Sequence, residues 1–184
     1  SGGGFHFTQG TSANQPTTGS VTIGGLNALS FDGSLSSMSN SDIPMDGTHS
    51  VFVVASSSSN GYTRILENNN RFFFGNGSGN NNFATFYGNG SSWNDVNTNS
   101  PAQSVASAKV LGVTNDGSTA TPYVNGTAQN TKNGAMPSFT YLTLGSISNG
   151  SQKWNGPIGE ILIFNTKLSI SEREAVEGYL AHKW

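Results

Sequence analysis

Tyr87-Gly88-Asn89-Gly90-Ser91-Ser92-Trp93-Asn94-Asp95 brings aromatic rings, primary amides and a carboxylate into one short polar stretch. Ring faces pack against the C–H groups of sugars, while amides and carboxylates hold the hydroxyls. Tyr87, Asn89, Trp93, Asn94 and Asp95 are therefore the candidate ligand-binding residues, with carbohydrate as the ligand class. The alternative is that Tyr87 and Trp93 cap a core at the end of a strand. Tyr62-Thr63-Arg64 is a second and weaker aromatic–polar combination.

Bond cleavage asks for different residues. Retaining glycoside hydrolysis needs two carboxyl groups roughly 5–5.5 Å apart, which a strand can supply from positions i and i+2 or i+4. No predicted strand carries such a pair. Glu160 stands alone in Ile158–Phe164 and reads as a structural carboxylate bonded to loop backbone or to a polar neighbour. Glu172, Glu174 and Glu177 belong to a helix and are expected to be exposed. His6, His49 and His182 are scattered without metal-ligand spacing, and no Gly-x-Ser-x-Gly elbow is present. The expectation is a chain that is not an enzyme and has no catalytic residues.

With no cysteine, the chain can form neither a disulfide framework nor a thiolate metal site. Charged residues make up 10% of the sequence and the net charge is -2, far from the basic footprint of nucleic-acid binding. Ser, Thr, Asn and Gly supply the polarity instead, a composition common in extracellular bacterial and viral proteins. No apolar run is long enough to insert into a membrane as a helix. The 184 residues suit one domain, expected over 5–184, after a linker, processed end or expression scar at 1–4. The whole reads as a piece of something longer.

The positioning elements are short apolar segments separated by Gly, Asn and Ser, which predicts many short strands. They are Ala28–Phe31, Ser50–Ala55, Thr63–Leu66, Arg71–Phe74, Asn82–Tyr87, Ala106–Thr114, Thr119–Val124, Thr140–Leu144 and Gly159–Phe164. Val51–Ala55 and Ile158–Phe164 are nearly continuous in apolar character, as in strands covered on both faces. Asn125-Gly126 between extended stretches predicts a type I′ hairpin. Asn-Gly-Ser/Thr sequons begin at Asn76, Asn89, Asn125 and Asn149, and turn chemistry accounts for all of them without glycosylation. Ser169-Ile170-Ser171-Glu172 has capping-box spacing, and Val176, Tyr179/Leu180 and Trp184 then recur on one face of a C-terminal helix.

Three stretches carry a resemblance. They are Phe7-Thr8-Gln9 through Asn14-Gln15-Pro16-Thr17 to Phe31-Asp32-Gly33-Ser34; Tyr123-Val124-Asn125-Gly126; and Trp154 through Glu160, Leu168-Ser169 and Glu172-Arg173 to Tyr179-Leu180-Ala181-His182-Lys183-Trp184. In this order they resemble the laminin-G-like (LamG) domains of bacterial surface and phage proteins, within the concanavalin A-like lectin/glucanase superfamily. The resemblance implies an all-β, two-sheet antiparallel β-sandwich (jelly roll) with one short C-terminal α-helix, and core positions for Trp154 and Trp184. Relatives often continue past Lys-Trp with a Pro-containing tail, whereas this sequence stops at Trp184.

The resemblance also leaves Ca2+ open, because related domains hold it through Asp, Asn and backbone carbonyls at the sandwich rim. Asp42, Asp46, Asp95, Asn97 and Asp116 are conceivable donors, and none is assigned. The implied function is non-catalytic recognition or adhesion. Partners would be glycans or a protein surface, and the setting extracellular, cell-surface or virion. The alternative is a self-assembling building block of a phage tail fibre, capsid decoration or filament.

Overall fold

The computed structural model describes residues 5–45, 47–59, 61–68, 72–77, 83–88, 93–97, 106–133, 138 and 140–184, with side chains for all of these except 73, 84, 86–88, 93–97 and 132. The strands are β1 (Thr22–Ile23), β2 (Leu26–Asn27), β3 (Leu29–Asp32), β4 (Met38–Asn40), β5 (Thr48–Ala55), β6 (Thr63–Asn68), β7 (Phe72–Asn76), β8 (Phe83–Gly88), β9 (Trp93–Asn97), β10 (Lys109–Asp116), β11 (Thr119–Val124), β12 (Thr127–Ala128), β13 (Lys132–Asn133), β14 (Leu142–Leu144) and β15 (Asn155–Phe164). A single α-helix, α1 (Ile170–Lys183), follows them.

Two antiparallel sheets stack. One runs β12-β11-β10-β5-β15-β3, with β13 also on β11; the other runs β4-β14-β6-β7-β8-β9. The β1–β2 hairpin forms a small separate sheet. The core between the layers is built from alternating residues such as Val51, Val53 and Ala55 of β5, Phe72 and Phe74 of β7, and Trp154. The intervening Phe52 and Val54 pack on the other side with Ile23, Ala28, Leu168 and Leu180 under α1. Strand β5 is thus buried on both faces, which is why its sequence is apolar without alternation.

Strand β15 switches phase. A register shift lies between Ile158 and Glu160, so Ile158, Ile161 and Ile163 all reach the inter-sheet core. Leu162 and Phe164 pack in the helix-side cluster. The extra residue is Gly159, where a Cβ would lie 2.9 Å from the Trp184 ring. A bulge of this kind re-aims the side chains after it, and here it turns Glu160 toward the helix.

The Asn125-Gly126 turn forms as expected. Both residues have positive φ (47° and 78°), and Val124 pairs with Thr127. The capping box is complete: Ser169 Oγ accepts from Glu172 N, and the Glu172 carboxylate accepts from Ser169 N at 2.8 Å. An expectation about the helix is corrected. Glu177 is buried, because it pairs with the equally buried Arg173 and faces the β11–β12 turn, whereas Tyr179 is 46% exposed.

Candidate functional site

The residues that carry the resemblance are fastenings. Asp32 Oδ1 accepts the backbone N–H groups of Ser34, Leu35 and Ser36 at 2.9–3.0 Å, and Oδ2 accepts the Ser34 hydroxyl. Lys153 Nζ holds the same loop from outside, donating to Leu35 O and Ser37 Oγ at 3.0 Å. Arg173 stacks 4.4 Å from the centroid of the Tyr123 ring while bonding Glu177, joining two distant motifs across the helix–sheet interface. Glu160 accepts from Trp184 Nε1 (2.8 Å) and Tyr179 OH (3.0 Å) and pairs with Lys183 (3.0 Å). It is the structural carboxylate expected, and its partners come from α1 and its C-cap, Trp184.

Electrostatics follow the bonding. Burial raises the Asp32 carboxyl, but its backbone donors outweigh that and hold it well below the ordinary 3.8. Asp116 is lowered by Lys167 and by the backbone of Ser118 and Thr119. In both, the unfolded form binds a proton at higher pH than the folded form does. The stability they contribute is complete above the ordinary carboxylate range and is lost as pH falls through the folded values. The melting temperature is expected to drop between about pH 5 and pH 2, and the Asp32→Asn chain to show a flatter drop. A calorimetric pH series in which Asp32→Asn retains the full dependence would count against this assignment.

The structure separates the two aromatic combinations. Tyr87 ends β8 and Trp93, Asn94 and Asp95 begin β9, so only the connection between them is left as loop; Asn89 lies outside the described residues. Tyr87 pairs with Asn94, Phe86 with Asp95 and Gly88 with Trp93. Alternation puts Tyr87 in the row of the buried Phe83 and Thr85, and places Trp93 and Asp95 in the alternate rows. The short strand β9 was not legible because Asn-Asp between Trp and Val reads as a loop tip.

Tyr62 sits just before β6, at the opposite end of the same sheet. It is 49% exposed, with the Arg64 guanidinium 5.9 Å from its ring centroid. Arg64 is itself buried, and burial lowers it to about 10 against the raising effect of Glu67. Glu67 is 1% exposed and accepts from Ser148 N and Thr143 Oγ1, fixing the β14–β15 connection over the sheet. No sequence signal marked Glu67. Its row continues through Phe73 and Phe86 to Asp95.

Among the calcium candidates, Asp116 is committed to its turn and to Lys167. Asp42 accepts from the Ser41 hydroxyl, the side chains of Asp95 and Asn97 are not described, and Asp46 lies outside the described residues. Among the described residues no three His, Asp or Glu side chains converge on a metal position. His49 is fully buried edge-on against Phe72, and His6 and His182 are exposed. Of the sequons, Asn125 and Asn149 occupy turns as expected, and Asn89 lies outside the described residues; the turn expectation is corrected at Asn76, which is a buried residue of β7 paired on both sides. Among the described residues no helix is long and apolar enough to cross a membrane.

Two stacked antiparallel sheets closed by a C-terminal helix define the class of concanavalin A-like β-sandwich domains. The family model for laminin-G-type domains of the concanavalin A-like lectin/glucanases superfamily matches residues 29–172, and the chain belongs to that superfamily. No curated protein matches it. Among solved structures it is similar to domain 4 of the extracellular GH43 arabinanase AbnA from Geobacillus stearothermophilus, solved with arabinotriose (TM-score 0.66, 16% identity, 86% of this chain and 79% of that one). It is also similar to the receptor binding domain of botulinum neurotoxin type G (0.68, 13%, 97% and 47%). A third is the binding domain of botulinum neurotoxin DC in complex with rat synaptotagmin II (0.63, 14%, 90% and 45%). The chain thus spans about half the length of the toxin domains. At these identities the likeness is one of fold.

Proposed function

We propose that this chain is a non-catalytic recognition module for carbohydrate, carried on a larger extracellular protein. The observation that carries the reading is how the acidic side chains are used. Leaving aside Asp46 and Asp95, every Asp and Glu is bonded within the fold: Asp32, Asp42, Asp116 and Glu67 to loop residues, Glu172 at the helix cap, Glu160 to α1 and its C-cap Trp184, and Glu174 and Glu177 to Arg173. Glu67 and Asp95 share a row but stand three strand spacings apart, about 14 Å. Glycosidase carboxyl pairs lie roughly 5–9.5 Å apart.

Carbohydrate is favoured as ligand by an uncharged polar surface with aromatic residues at both ends of one sheet. The arabinotriose seen with a domain of the same fold supports it. The Tyr87–Asp95 segment would supply the contacts, Trp93 as the ring and Asp95 as the hydroxyl acceptor. A glycan array, run with and without Ca2+, is expected to show binding above background. Trp93→Ala should weaken it about ten-fold, the equivalent of roughly 1.4 kcal/mol. An empty array together with a discrete large oligomer on size exclusion would replace this reading with that of an assembly subunit.

A further inference from the structure

The N-terminal segment does more than lead into the sandwich. Thr8 pairs with Ser39 on β4, the edge of one sheet, with N–H···O distances of 2.9 and 3.0 Å. Thr17 pairs with Ser30 on β3, the edge of the other, at 3.0 and 2.8 Å. Residues 8–17 therefore strap the open side of the sandwich, crossing from layer to layer through a 3-10 turn at Ser12–Asn14. Beneath the strap is a cleft of about 360 Å³, within the range of small-ligand sites.

Its apolar walls are Phe7, Pro16, Leu29 and Met38. Phe7, Leu29 and Met38 are half-buried against the main core, so the floor is fixed. The remaining lining residues are Thr8, Gln9 and Gln15. Gln9 is consumed in holding the strap: its Nε2 donates to Ser37 O (2.8 Å) and its Oε1 accepts from Thr11 N (3.0 Å). Gln15 Nε2 donates to Gln9 O (2.8 Å), which fixes that amide in place. Among the described residues Thr8 Oγ1 and Gln15 Oε1 have no hydrogen-bond partner. No charged residue lines the cleft.

We infer that the strap cleft is a second carbohydrate site, one that takes a single neutral sugar residue, with the Phe7 ring against its C–H face and Thr8 Oγ1 and Gln15 Oε1 on its hydroxyls. This rests on the reading of the chain as a carbohydrate-binding module and adds a location independent of Tyr87–Asp95. The absence of charge in the lining offers no partner for acidic sugars or phosphates, and a preformed ring with one pre-oriented amide needs little reorganisation to bind. The strap precedes the residues 29–172 that the family model matches, whereas Leu29 and Met38 of the cleft lie within them.

The chain has three methionines, Met38 in the cleft, Met45 in the core and Met136, so methyl NMR reads the site directly. Arabinotriose and maltotriose are titrated separately into the wild-type, Thr8→Arg, Gln15→Glu and Trp93→Ala chains. The expected result is a saturable shift of the Met38 methyl with at least one sugar and no shift at Met45. It should persist in Trp93→Ala and be lost or at least ten-fold weakened in Thr8→Arg and Gln15→Glu, whose melting temperatures confirm folding. A Met38 methyl that stays put with both sugars, or one that shifts unchanged in Thr8→Arg, overturns the cleft. An array that still shows glycan binding then leaves the recognition reading standing, whereas an empty array removes that reading, and the Met38 titration still decides the cleft.

Discussion

Replacing Trp154 by alanine is expected to destabilise the fold by about 3–5 kcal/mol, the usual cost of deleting a fully buried aromatic side chain, and to lower Tm by roughly 10 °C. The indole is 0% exposed and is among the largest side chains enclosed between the sheets. Its backbone is equally committed: Trp154 N donates to Gly145 O, and Gly33 N donates to Trp154 O, both at 2.9 Å. The residue therefore ties the β3–β4 loop, the end of β14 and the start of β15 around one ring. Trp154→Phe keeps most of the buried area and should recover about half of the loss. Equilibrium urea unfolding measures both. A loss below about 1 kcal/mol for the alanine variant would mean that the loops, not the ring, hold that end of the sandwich.

Arg173→Ala should cost about as much for a different reason. The Arg173–Glu177 pair is buried on both sides, and removing the cation strands a carboxylate in a desolvated place, at about 3–5 kcal/mol. The stacking of the guanidinium on Tyr123 is lost as well. Burial already pushes Glu177 above its ordinary value, with Arg173 opposing the rise. Without Arg173 the carboxyl rises further, so its folded pKa exceeds the unfolded one and the variant gains stability as pH falls toward that value. This is opposite in sign to the acid loss from Asp32 and Asp116. The double variant Arg173→Met/Glu177→Leu should approach wild-type stability, since a packed apolar pair can replace a buried ion pair. Urea unfolding of the single and double variants at about pH 7 and pH 5 reads all three effects; a single variant that loses stability on acidification would refute the role given to Glu177.

These two residues mark the limits of what was legible. Trp154 was placed in the core by its motif, and the structure puts it there. The apolar run Val51–Ala55, the Asn125-Gly126 turn and the capping box at Ser169 are local patterns, and each formed as its chemistry requires. Glu177 was read as exposed because helical periodicity ranks a carboxylate as a solvent residue. Arg173 is close to it in the chain, but nothing there announces that Arg173 stacks on the distant Tyr123 or that Glu177 lies against Gly126. The Tyr87–Asp95 segment looked like one continuous loop, whereas its ends pair as strands, which divides its residues between alternate rows.

By itself, the sequence determined the architecture: strand-length apolar segments, turn residues between them, one capped helix and an order of motifs that selects the superfamily. All but the motif order depend on residues within a few positions of one another, where backbone preference and side-chain period act directly. Tertiary structure alone decided the bulge at Gly159 that turns Glu160 toward α1, the burial of Glu67 under the β14–β15 connection, and the cleft beneath the N-terminal strap. Each of these requires segments far apart in the chain to meet, and the free energy of that meeting is written in no single segment.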